Sequence, residues 1–230
     1  MEQIDKKENK HSRREFLKNL TIAGGSAIIV GTFGFIFHSS PEDKVIKAIV
    51  VDFDKCTGCR TCEAVCSSYN NKIEVNGGLL DGPGNPNLSN IRIHHYNPDV
   101  DIPVICNLCD DAPCITACPV PPDLFTGRKA LFRDEKNNTI RNDIERCIGC
   151  GQCAKACKNL RTGTIISNPD TGKPERICNL CNGDPQCVKY CTYEALTYIK
   201  VDNSREFFGL SADKIAQVLY ERFYNIDLNN

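Results

Sequence analysis

Hydrophobic and polar positions alternate along this chain in short bursts. Ile46 to Phe53 (IKAIVVDF) is rich in Ile and Val and predicts a strand. Ile91 to Tyr96 alternates and predicts a second. Thr126 to Asp143 predicts two short strands around an Asn137-Asn138 turn, and Thr164 to Ile166 a strand followed by a turn over Asn168 to Gly172. Ala195 to Ile199 predicts a closing strand. Residues 67–90 contain NGGLLDGPGNPNLSN, whose breakers predict a loop. Only near the carboxyl end does a helical period emerge: from Ser211, residues Ile215, Val218, Leu219, Phe223 and Ile226 share one face of a helix that would cover the core. The fold class is therefore α+β.

The bursts are interrupted by cysteines in fixed groups. Cys147 to Cys157 reads CIGCGQCAKAC, and CTGCRTCEAVC, Cys56 to Cys66, repeats the pattern. Two stretched versions are CNLCDDAPCITAC, Cys106 to Cys118, and CNLCNGDPQCVKYC, Cys178 to Cys191. Four groups of four account for all sixteen cysteines. Three thiolates close together suit three corners of an iron–sulfur cube, while the fourth reaches another cluster. The count then implies four [4Fe-4S] clusters. Gly58, Gly149 and Gly151 would let loop N–H groups approach the sulfurs. The order compact, stretched, compact, stretched suggests duplication, with groups one and two as one half and three and four as the other.

Composition changes little, with 41% hydrophobic and 25% charged residues. The net charge is −1, and residues 41–230 alone hold 22 basic against 25 acidic residues, so no basic face for nucleic acid is expected. Disulfide pairing would not require such regular groups. Zinc ribbons use two pairs of ligands and do not account for a third and fourth cysteine in every group. Adjacent His94 and His95 point to opposite faces of a strand, so one is expected packed and one exposed, without a metal. No nucleophile–base pair, phosphate loop or open metal site stands out.

Over residues 47–200 the motifs resemble the four-cluster iron–sulfur subunit that accompanies molybdenum or tungsten pterin oxidoreductases. That resemblance implies two interleaved dicluster ferredoxin modules, in which Cys56, Cys59 and Cys62 share a cluster with Cys191, and Cys178, Cys181 and Cys187 share one with Cys66. It likewise implies Cys106, Cys109 and Cys114 with Cys157, and Cys147, Cys150 and Cys153 with Cys118. The modules would span 46–100 with 176–202, and 101–175, followed by a helical tail over 203–230. Pro119 follows Cys118 as in that family, but Lys158 follows Cys157 and Thr192 follows Cys191. Lys158 is expected to raise the potential of a nearby cluster. The short gap between Cys181 and Cys187 is closer to companions of aldehyde-oxidoreductase, formate or hydrogenase systems.

The implied role is electron relay between a catalytic subunit, a pterin oxidoreductase or a hydrogenase, and a quinone-linked membrane protein or other carrier. A free polyferredoxin and a zinc-holding structural protein are the alternatives. The first forty residues read as an address: Ser12-Arg13-Arg14-Glu15-Phe16-Leu17-Lys18 resembles a twin-arginine export signal, and Leu20 to Phe37 carries no charge. Such export carries folded proteins, which suits a protein whose clusters are assembled before translocation. The expectation is a periplasmic protein, or one at the outer membrane face, either processed near residue 40 or held by the retained leader.

Overall fold

The computed structural model describes residues 46–97 and 99–225. The expected export signal, the apolar run over residues 20–37 and Ile226 lie outside the described residues. Among the described residues no helix is long and apolar enough to cross a membrane.

Strand β1 (Ile46–Val51) pairs antiparallel with β10 (Leu196–Val201), with Ile46 opposite Val201 and Val51 opposite Leu196. This ladder joins the first and last cysteine groups. It is extended by Asp52 N–H donating to Ala195 O at 2.8 Å. Three residues of β1 feed one core, in which Ile46, Ala48 and Ile49 meet Ile91, Ile93, Leu196 and the buried Cys62, Cys66, Cys178 and Cys187.

Residues 67–90, expected as loop, are more structured than that. Helix α1 (Thr61–Asn70) continues through Cys66, and Asn71 closes it, its N–H bonded to Ser67 O. A hairpin follows, β2 (Ile73–Val75) with β3 (Gly78–Leu80). Its two central residues, Asn76 and Gly77, have φ of 51° and 78°, the mirror-image turn for which Asn-Gly is the strongest short signal. The dense breakers around it hid that signal.

Strand β4 (Arg92–Tyr96) pairs with β5 (Val100–Val104), a partner that the hydrophobic pattern did not single out because Pro103 breaks its run. Next come α2 (Pro113–Thr116), the hairpin β6 (Leu131–Arg133) with β7 (Ile140–Asn142), and α3 (Gln152–Leu160). The short pair β8 (Ile166–Ser167) and β9 (Pro174–Glu175) and the one-turn α4 (Gln186–Lys189) complete the cysteine-bearing part. Helix α1 lies against α4, and α2 against α3. The halves suggested by chain order are therefore not the packing partners: group one packs with group four, and group two with group three. The β1–β10 ladder selects this nested pairing.

Helix α5 (Ala212–Tyr224) covers β5, but on a different stripe from the one expected. Ala212, Ile215, Ala216 and Leu219 are buried against Val100, Ile102 and Val104, whereas Val218 and Phe223 face outward. Small alanines let the helix sit close to the strand, which turns the larger side chains away. His94 and His95 are both exposed, in place of one packed and one exposed, with His95 Nδ1 2.5 Å from Asp101 Oδ1.

The third residue of every cysteine group is left-handed: Gly58 (φ 63°), Leu108 (53°), Gly149 (68°) and Leu180 (53°). In the stretched groups leucine holds this position, and both leucines are fully buried. A left-handed leucine costs about 1–2 kcal/mol, while deleting a buried leucine costs about 2–5 kcal/mol, so burial wins. We expect Leu108→Gly to lower stability by about 2 kcal/mol despite relieving the backbone. A thermal melt of the cluster-loaded protein checks this, and a raised melting temperature would reverse the balance.

Candidate cluster-binding site

Each group delivers its sulfurs by the same local device. A loop with left-handed residues carries the first two cysteines, and a helix start buries the third. In group one, Arg60 (φ 62°) turns the chain into α1, which places Cys62 at its first turn and Cys66 one turn later. In group three, Gly151 (φ 69°) does the same for α3, with Cys153 and Cys157. In group two, Ala112 (φ 36°) precedes α2 and Cys114. Although residues one turn apart share a helix face, Cys66 and Cys157 stand at other sites than Cys62 and Cys153.

Cys56, Cys59, Cys62 and Cys191 line one hollow. Cys106, Cys109, Cys114 and Cys157 line a second, and Cys147, Cys150, Cys153 and Cys118 a third. The same arrangement of three sulfurs from one group and one from another, built from unrelated stretches of chain, points to one kind of guest. The remaining four meet in the core beside the first hollow: Cys66, Cys178, Cys181 and Cys187 are all buried, and Cys187 lies within electrostatic reach of both Cys66 and Cys181. Asn70 ties this set together, its Nδ2 donating to Cys66 Sγ at 3.6 Å and its Oδ1 accepting from Asn179 Nδ2 at 2.7 Å.

Backbone donors reach the sulfurs. Asn90 N–H lies 3.3 Å from Cys66 Sγ, and Leu180 N–H 3.4 Å from Cys178 Sγ. The N–H of Gly58 bonds Cys56, and that of Leu108 bonds Cys106. The left-handed third residue is what turns this N–H inward, and leucine performs it as glycine does.

Burial pushes the Cys62, Cys106 and Cys114 thiols up to about 12. It also raises Cys178 and Cys187. Burial acts upward on Cys59 too, but hydrogen bonds from Thr61 and Thr57 hold its thiol below the ordinary value. Bare thiolates are thus disfavoured in these cores, and a guest that stabilises them must bring positive charge and accept soft anionic sulfur. Among the described residues no three His, Cys, Asp or Glu side chains converge closely enough for a single metal ion. The sulfurs stand around hollows, which fits the spread corners of an iron–sulfur cube.

Several residues near the sulfurs carried no sequence signal. Glu63, wholly buried beside Cys62, pairs with Arg60 Nε at 2.5 Å and Arg92 Nε at 3.5 Å and accepts Ile93 N–H at 2.8 Å, which fastens α1 to β4. Lys129 Nζ donates to the carbonyls of Ile115, Thr116 and Cys118, the last at 2.8 Å, closing the end of α2. Arg161 lines the Cys106 hollow and pairs with Asp111. Lys158, expected to act on a cluster, is exposed on the last turn of α3. These residues meet through tertiary packing, which no spacing rule encodes.

Comparison with known proteins follows the same line. The family described as "4Fe-4S dicluster domain" matches residues 98–158. The polyferredoxin-like subunit of aliphatic sulfonate oxidoreductase from Pyrococcus furiosus is 36% identical over 143 residues, 62% of this chain and 70% of that one. The thiosulfate reductase electron transfer subunit PhsB of Salmonella typhi is 31% identical over 161 residues, covering 66% and 75%. The electron transport protein HydN of Escherichia coli is 30% identical over 180 residues, covering 72% and 93%.

Two substitutions test the local device. A Cβ on Gly149 would stand 2.2 Å from Thr171 O, against the turn that presses on this loop. Gly149→Ala should therefore lose one cluster's share of iron, and metal analysis that shows full iron would count against the close approach. Glu63→Ala leaves the buried Ile93 N–H without its acceptor and should cost about 1–3 kcal/mol, read as a lowered unfolding midpoint.

Proposed function

The chain belongs to the 4Fe-4S ferredoxin-type electron-transfer subunits of oxidoreductases, and from that membership we propose a four-cluster wire built of two interleaved dicluster modules. The observation that carries it is the grouping of the sulfurs: four cysteines from two separate groups surround each hollow. Its sixteen cysteines suffice for four clusters. Each cluster, when bound, supplies a one-electron couple.

The neighbours of each set support an end-to-end order. Cys62 of the first set lies within electrostatic reach of Cys187, and Cys178 within reach of Cys106. Cys114 and Cys157 of the next set share a core with Cys153 of the last. The order is thus the set with Cys191, that with Cys66, that with Cys157 and that with Cys118. At its two ends, Cys59 and Cys150 are exposed, while the second set is wholly buried. Exposed sulfur at the ends and buried sulfur between them suit exchange at the termini and water exclusion along the middle.

As a subunit, the chain works with a catalytic partner. The names of its relatives, a thiosulfate reductase subunit and an aliphatic sulfonate oxidoreductase subunit, support this over a free shuttle. We assign the partner to the molybdenum or tungsten pterin oxidoreductases, with the other end of the wire facing a quinone-linked protein. The arginine pair at residues 13 and 14 and the uncharged run behind it support export by the twin-arginine route to the outer side of the membrane.

Anaerobic purification with its partner tests the whole reading. About sixteen irons per chain, four reducible paramagnetic centres and co-elution with a pterin-bearing subunit are expected. Iron near half that value, or elution alone after gentle extraction, would sink the four-cluster subunit.

A further inference from the structure

The four sets do not share one electrostatic environment. Around the Cys106, Cys109, Cys114 and Cys157 hollow stand three guanidinium groups. Arg133 donates through Nη2 to Cys109 O and through Nη1 to Asn138 O, the latter at 3.0 Å. Arg205 Nη2 donates to Asn107 O at 2.9 Å. Arg161 lines the hollow itself; its Nη2 meets Asp111 and its Nη1 Leu160 O at 2.6 Å, while its Nε is buried without a hydrogen-bond partner. Two carboxylates oppose them. Asp111 is bound to Arg161, and Asp110 accepts from Asn203 at 3.0 Å. Both belong to the exposed loop, whereas Arg161 Nε is inside.

The other sets differ. At the Cys56 hollow a single guanidinium, Arg60, stands in the lining, and Glu63 neutralises it at 2.5 Å, while Asp101 lies against Gly58, where an added Cβ would meet it at 2.3 Å. At the Cys178 set Asp184, close to Cys181, faces Lys189 at 3.6 Å, and Arg176, whose Nε is also buried without a partner, lines a separate groove with Glu175 that holds no cysteine. At the Cys147 hollow, the ammonium of Lys129 is engaged by three carbonyl oxygens, whose partial charge offsets its own.

We propose that Arg161, with Arg133 and Arg205 beside it, makes the cluster held by Cys106, Cys109, Cys114 and Cys157 the most readily reduced of the four. The Nε proton is the free donor, and the acceptor it is left for is a sulfur of the cluster. An added electron raises the negative charge on that cluster, so a fixed cation stabilises the reduced form more than the oxidised one. The electron comes from a neighbouring cluster, which is oxidised as this one is reduced. Its place in the interior of the wire makes it a holding point between the exposed ends.

This inference rests on the four-cluster reading, and a redox titration followed by electron paramagnetic resonance separates the two. The full chain, reconstituted anaerobically with iron and sulfide, would be titrated beside Arg161→Met, Arg161→Lys, Asp111→Asn, Lys129→Met and Lys158→Ala. Arg161→Met is expected to lower the midpoint of the highest-potential centre by on the order of tenfold in its reduction equilibrium, which is about 59 mV for one electron. Arg161→Lys keeps most of the effect, and Asp111→Asn moves the same centre upward. Lys129→Met and Lys158→Ala leave that centre in place. A purely structural role for the Arg161–Asp111 pair would not produce opposite signs.

Should four centres titrate while Arg161→Met shifts none of them, or shifts a lower-lying one, the inference is overturned and the wire stands. A highest centre that responds to Lys129→Met overturns it equally. If Arg161→Met does not fold, an unmoved midpoint in Asp111→Asn decides against the proposal. Absence of reducible centres removes both readings.

Discussion

Sulfur buried without charge compensation is the constraint on which this structure depends. Eight of the sixteen cysteines are buried, and for Cys62, Cys66, Cys114, Cys153, Cys178, Cys181 and Cys187 burial drives the thiol away from the anionic form that iron requires. The chain around them is thin. Its described strands form five two-stranded sheets, and an isolated hairpin of this kind is marginal in water. Aliphatic clusters of Ile91, Ile93, Leu108 and Leu180 therefore close around sulfur, and the metal clusters complete a core that side chains alone leave hollow. Folding and metal loading are coupled for the same reason that they are in other small metal-dependent folds.

The nested arrangement follows from helix geometry. Cysteines one turn apart on α1, and again on α3, stand at different sites, so each helix lies between two of them. A helix that links two clusters needs a second helix to complete both. For α1 that partner is α4, carried in by the β1–β10 ladder across most of the chain; for α3 it is α2. Groups two and three are thereby closed within the ladder that joins groups one and four.

Electrostatics then distinguishes sites that their ligands make alike. Four cysteines line each of two hollows, but the guanidinium in the Cys56 hollow, Arg60, is neutralised by Glu63, whereas Arg161 in the Cys106 hollow keeps a buried Nε without a partner. In a low-dielectric interior such differences count for more than they would in water. The buried Glu63 shows the other use of charge: bonded to two arginines and a backbone N–H, it fixes where α1 meets β4.

The cluster chemistry was legible in the residue order, because ligand spacing within a group is a local property. CIGCGQCAKAC and its three variants announce iron–sulfur ligation whatever the rest of the chain does, and Ile46 to Phe53 and Ala195 to Ile199 announce strands by the same short-range logic. The hairpin at Asn76-Gly77 was equally local, though masked by the breakers beside it. Which groups pack together was not legible in that way: compact and stretched groups alternate, and chain order alone favours halves that the β1–β10 ladder forbids. The stripe of α5 that meets β5 was likewise open until the close approach of Ala212 and Ala216 turned Val218 and Phe223 outward. Arg161, Arg133 and Glu63 lie among many charged residues and acquire meaning only where folding brings them to sulfur or to one another. Local bonding rules fixed what the cysteines hold; long-range packing decided how those sites are ordered and how unequal they are.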